Sequence, residues 1–191
     1  MTRLLILSLA AAGLLAGCSD PTATARYPIA PAPAAKALPD KLGQAELREV
    51  SLPQYASGQE IAWQTTDGAL RSSPDNIWAD DPPRAVTLAL ARQISEISGA
   101  TVIAEPWPLS DGPARRIEVR VAQLMARADG VLVLEGTYYV TPADLGGGRD
   151  LVRNFALSVP IEGEDKAAPG AIAAAQSRAV AMLAERIARL D

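Results

Sequence analysis

"RIEVRVAQLMARADGVLVLEGTYYV", Arg116 to Val140, decides the fold class of this 191-residue chain. Ile117, Val119 and Val121 alternate with Glu118 and Arg120, the period-2 pattern of a half-buried strand. Asp129-Gly130 is a strong hairpin cue, because such turns need positive φ and glycine adopts it without strain. Val131 to Val140 returns as a strand apolar on both faces, which predicts a central place in a sheet. After a glycine turn at Gly146-Gly147-Gly148, Leu151 to Ile161 gives a third strand with Phe155, Leu157 and Val159 on one side. The three strands read as an antiparallel meander.

Helical patterns flank the meander. Asp80-Asp81-Pro82-Pro83 places acidic caps before a proline suited to the first helical turn. Val86, Leu90, Ile94 and Ile97 then form one apolar stripe, and Ser98-Gly99 ends it. Pro169 opens a second long helix with Ile172, Ala179, Leu183, Ile187 and Leu190 on one side. Shorter strand-like runs lie at Leu47–Leu52, stopped by Pro53, at Glu60–Thr66, and at Thr101–Glu105. The fold class is therefore α/β: a mixed sheet with a C-terminal antiparallel meander and two main helices packed on it.

The N-terminus carries a different signal. Arg3 and the apolar run Leu4–Leu15 make a signal peptide, too short for the roughly 20 residues of a membrane-spanning helix. Leu15-Ala16-Gly17-Cys18 resembles the lipobox of bacterial lipoproteins, and Cys18 is the only cysteine. That resemblance implies cleavage between Gly17 and Cys18, a diacylglycerol on the Cys18 thiol and an N-acyl chain such as palmitate. Several acyl chains anchor a protein stably without spanning the bilayer. Ser19 after the cysteine resembles the outer-membrane class of lipoproteins, with inner-membrane retention as the alternative. From Cys18 to Lys41 the chain reads as a Pro/Ala-rich tether reaching roughly 60–70 Å at most. Tyr27-Pro28-Ile29 leaves a second reading open, an edge strand that begins the fold. The domains expected are residues 1–17 signal, 18–41 lipidated cysteine and tether, and 42–191 the α/β domain.

Composition narrows the chemistry. Hydrophobic residues make up 49%, enough for a core, and much of that is alanine. The net charge is −4, or about −5 once Arg3 leaves with the signal, with no basic patch for nucleic acid. Histidine is absent, which removes the commonest general base and metal ligand and any Ser-His-Asp or Cys-His site. Gly146–Gly148 lacks the Lys-Ser/Thr of a phosphate loop. The carboxylates Asp80, Asp81, Glu162, Glu164 and Asp165 precede predicted helices, where capping accounts for them. No catalytic residues, metal site or cofactor are expected beyond the covalent lipid.

In chain order, the lipobox, "VSLPQYASGQEIAWQT" (Val50–Thr65), "IWADDPP" (Ile77–Pro83), "ATVIAEPWP" (Ala100–Pro108), the opening hairpin and "ALSVPIEGED" (Ala156–Asp165) resemble the PqiC/YmbA family. These are auxiliary lipoproteins of ABC-type transport systems that carry an MCE-domain protein. Arg26-Tyr27-Pro28-Ile29 departs from the family's Tyr-x-Leu strand, and Met125 stands where phenylalanine is common. The resemblance implies a three-layer α/β domain that forms rings and docks or caps an MCE tube at the outer membrane. There it would support lipid transport and membrane integrity, with the ATPase elsewhere in the system. Pro53, Tyr55, Trp78 and Trp107 are the candidate partner contacts, Trp107 the most exposed of them, and core packing is the competing reading for the aromatics. A lipid anchor, a tether and a small α/β domain also fit a different class, an outer-membrane lipoprotein that activates a peptidoglycan synthase.

Overall fold

The long hairpin forms as the alternation requires. In the computed structural model, which describes residues 23–30, 37–143 and 148–191, β7 (Arg115–Ala126) and β8 (Val131–Pro142) pair antiparallel along their whole lengths. Gly130 closes the turn at φ 81°, and the Asp129 carboxylate accepts from the Val131 N–H at 3.3 Å. β9 (Leu151–Pro160) adds antiparallel to β8 and completes the meander. Gly146-Gly147, part of the turn expected before β9, lies outside the described residues.

One irregularity shapes the hairpin. The register shifts between Val121 and Gln123, a β-bulge opposite Gly136. A side chain at Gly136 would strike the Arg120 carbonyl oxygen and come within 2.8 Å of the Phe155 ring. Glycine there lets Phe155 cover the bulge, and that explains a glycine inside a central strand.

The other side of β7 is assembled from short pieces. β2 (Gln44–Leu47) lies parallel to its start, and Ser51 bridges Arg120 further along. The one-turn helix α1 (Gln54–Ser57) follows, and then β3 (Trp63–Gln64) pairs with Ala126. β6 (Thr101–Ala104) extends the sheet parallel to β2, and β4 (Leu70–Arg71) pairs antiparallel with β3. The sheet is therefore mixed. The strand expected at Glu60–Thr66 is reduced to β3 and an isolated bridge at Glu60, and it stops where the chain turns back into β4, with the Gly68 N–H donating to the Thr65 carbonyl at 2.8 Å.

The two long helices, α2 (Pro82–Ser98) and α3 (Pro169–Arg189), pack on each other and on the sheet. Asp81 caps α2 by accepting from the Arg84 N–H at 3.3 Å, Pro82 opens it, and Gly99 ends it at φ 73°. At α3 the capping expectation fails. Ala168 holds the cap position without a side-chain bond, while Asp165 accepts from the Ala167 N–H one turn earlier and Glu162 pairs with Arg178 at 3.5 Å. Val86, Leu90, Ile94, Ile172, Leu183 and Ile187 are all buried beneath the sheet residues Ile117, Val119, Leu134, Phe155 and Leu157. Each large aliphatic among them contributes about 1.5–3 kcal/mol by leaving water. Alanines at 173, 175, 179, 184 and 188 of α3 are buried too, small enough to let its neighbours approach closely.

Of the two readings of the N-terminal segment, the strand forms. β1 (Ala25–Tyr27) pairs parallel with β5 (Asn76–Trp78) in a separate two-stranded sheet. Beyond it, the Ala30 N–H donates to Ser177 Oγ on α3 at 3.1 Å, and the Leu38 N–H donates to the Ile97 carbonyl on α2 at 2.6 Å. Tyr27, Ile29 and Leu38 pack against the core. Ala30 and Leu38 thus each touch one of the two long helices, ahead of the boundary expected at Lys41.

Candidate functional site

The Leu-Pro-x-Tyr stretch acquires a structural role. Pro53 precedes α1 with φ −58° and is half-buried, and the turn it starts aims Tyr55 at the edge of β7. There the Leu124 N–H donates to the Tyr55 hydroxyl at 3.3 Å. That hydroxyl supplies the acceptor a neighbouring strand would give just past the bulge, where an unpaired N–H costs about 1–3 kcal/mol if buried. Trp78 is corrected from partner contact to core: it is 6% exposed and its backbone N–H donates to the Gln59 carbonyl at 2.8 Å. Tyr55 and Trp78 both line one small gap, together with Leu124 and Ile172.

Trp107 stands elsewhere, beyond the end of β6. It is half-buried, whereas Trp78 is buried. Its backbone N–H donates to a Glu46 carboxylate oxygen at 3.0 Å, and its indole N–H donates to the Asp111 carbonyl at 2.6 Å. The fixed ring leaves Leu109, which the sequence did not single out, 48% exposed on the same loop. Gly17 and Cys18 lie outside the described residues.

A feature without a sequence signal is a cleft of about 590 Å³ beside β1. Thr24, Arg26, Gln59, Glu60, Ser72 and Pro74 border it. Ile77 lies between its charged walls: Arg26 pairs with Ile77 across β1 and β5, and Glu60 bridges Ile77 from the other side. Residues in register project to one face. The Ser72 hydroxyl donates to Glu60 Oε2.

The sheet face turned from the helices carries a lattice of charge. Arg48 lies 3.7 Å from both Glu105 and Glu118, Arg120 pairs with Glu118 at 2.6 Å, and the Arg120 guanidinium sits 5.2 Å from the centre of the Tyr139 ring. Such exposed pairs contribute about 0–1 kcal/mol each, so the lattice mainly keeps the face hydrated. The one strongly shifted tyrosine is structural. Burial pushes the Tyr138 phenol up to about 12, and its hydroxyl donates to the Asp191 carbonyl beyond α3. Among the described residues no three His, Cys, Asp or Glu side chains group as a metal site, and no helix is long and apolar enough to cross a membrane.

A single mixed α/β domain with an open, charge-laced sheet face and a polar cleft beside its first strand defines the class. The sequence pattern of the ABC-type transport auxiliary lipoprotein component family matches residues 27–188, and the chain belongs to that family. A crystal structure of an uncharacterised protein is similar at TM-score 0.62 and 20% identity, covering 82% of this chain and 98% of that one. A Xanthomonas campestris protein of the DUF330 family is similar at TM-score 0.60 and 17% identity, covering 82% and 86%. A PelC dodecamer from Paraburkholderia phytofirmans aligns more loosely, at TM-score 0.39 and 10% identity over 81% and 92%. No curated protein sequence matches the chain.

Proposed function

We propose that this chain is the lipid-anchored, periplasm-facing subunit of an MCE/ABC-type lipid-transport system. It docks or caps the MCE tube at the outer membrane and acts through its surfaces, without catalysis of its own. The observation that carries this reading is the family match over residues 27–188, preceded by the Leu-Ala-Gly-Cys stretch at 15–18. The missing histidines agree with a binding role. A symmetric tube is met best by a closed ring of identical subunits, which satisfies every heterologous contact and adds avidity. The Trp107–Leu109 loop is the contact we assign to the partner, since its fixed indole presents Leu109 outward.

Deletion of the gene followed by complementation tests the reading. The deleted cells should become sensitive to detergent, the full chain should restore resistance, and Cys18→Ser should not. Restoration by the unlipidated chain would sink the anchored role. Native mass spectrometry of the purified protein should give one cyclic oligomer, and a strict monomer at all concentrations would remove the ring.

A further inference from the structure

The geometry points to the cleft beside β1 as a site that faces the bilayer and holds a phosphoethanolamine headgroup of a membrane lipid. This rests on the anchor at Cys18. Thr24 and Arg26 border the cleft, and Thr24 follows Cys18 by six residues. Six residues span at most about 20 Å whatever their conformation. β1 is tied by the parallel ladder to β5, and Ala25 N–H also donates to the Asp75 carbonyl at 2.7 Å. The cleft therefore cannot drift away from the lipid to which the chain is fixed. Its opposite side is far away, since β7 alone runs for roughly 35 Å from Arg115 to Ala126.

The chemistry of the cleft selects the headgroup. Arg26 and Glu60 flank Ile77 on one face, so their backbones stand about 10 Å apart, two strand spacings. Arg26 is exposed and makes no ion pair among the described residues. A guanidinium matches phosphate through paired hydrogen bonds. Glu60, held by Ser72 through one oxygen, keeps the other for an ammonium. One cation and one anion across a polar cleft suit a headgroup that carries both charges, close to the surface where such groups are most concentrated.

The test uses the full chain purified from membranes, with mass spectrometry first reading the acylation of Cys18. Protein with a single dye-labelled cysteine at Pro74→Cys or Ser110→Cys is reconstituted into phosphatidylethanolamine vesicles bearing a headgroup quencher. The label at position 74, on the cleft rim, should be quenched more strongly than the one at 110, beyond the far end of β7. A photoactivatable phosphatidylethanolamine should crosslink to residues 24–26, 59–60 or 72–74. Arg26→Glu should lower that adduct about tenfold, the equivalent of one charge-assisted hydrogen bond, with an unchanged circular dichroism spectrum. An unacylated Cys18 overturns both the anchor and the site. Acylation with equal quenching at 74 and 110, adducts elsewhere, or competition by inorganic phosphate as strong as by the lipid, overturns the site alone.

Discussion

The two edges of β7 are held in different ways. Toward β8 it pairs without a gap except at the bulge, and β8 passes the same register on to β9. Toward the N-terminal half it is met in turn by β2, by Ser51, by the Tyr55 hydroxyl and by Trp63. The first edge is a ladder in which each residue supports the next, and its side chains form one face of the core. The second depends on single groups arriving at single positions. Damage on the meander side should therefore be global, and damage on the assembled side local.

The largest effect should come from Phe155→Ala. It removes a ring 3% exposed over the bulge and should cost about 4 kcal/mol, read by urea unfolding of the Cys18→Ser protein. A change below 1 kcal/mol would show that the ladder does not need this plug. Gly136→Ala comes next, at about 3 kcal/mol, because the new methyl meets the Arg120 carbonyl and the Val121 Cα (2.9 Å), backbone that cannot step aside. Tyr55→Phe should cost about 1 kcal/mol and raise hydrogen exchange at the Leu124 amide selectively. If exchange rises equally along β8, the edges are not independent.

A smaller, conditional effect separates β8 from its helix. Tyr138 keeps its proton to about pH 12 in the folded chain, whereas an unfolded tyrosine loses it near pH 10. The raised value means that its contribution is complete below pH 10 and is lost as pH rises from there toward 12. Tyr138→Phe should flatten that part of the stability profile. An unchanged alkaline slope would place the tyrosine's hydroxyl outside the balance.

The same contrast explains what the sequence could say. Ile117, Val119 and Val121 announce their strand by alternation, Asp129-Gly130 announces its turn, and Asp81 and Gly99 mark the ends of α2. These signals are local, so neighbouring residues carry them. Tyr55 meets Leu124 across 69 positions of sequence, and no local period encodes a hydroxyl standing in for a strand. Trp107 sits between prolines and reads as exposed, yet Glu46 holds its backbone N–H from 61 positions away, while Asp111 on the same loop holds the indole. The cleft arises only when β1, β5 and Glu60 align on Ile77, and each of these pieces is too short to show a pattern. Tyr27 at least suggested an edge strand, but its parallel partner Trp78, 51 residues on, could not be read from Pro28 beside it.

The proposed partnership is tested most directly by capturing the chain from the total membrane fraction after in-cell crosslinking and identifying what comes with it. An MCE-domain protein should come with it, together with components of its ABC transporter, and Leu109→Asp should reduce the recovery. A peptidoglycan synthase recovered in place of the MCE protein would contradict it.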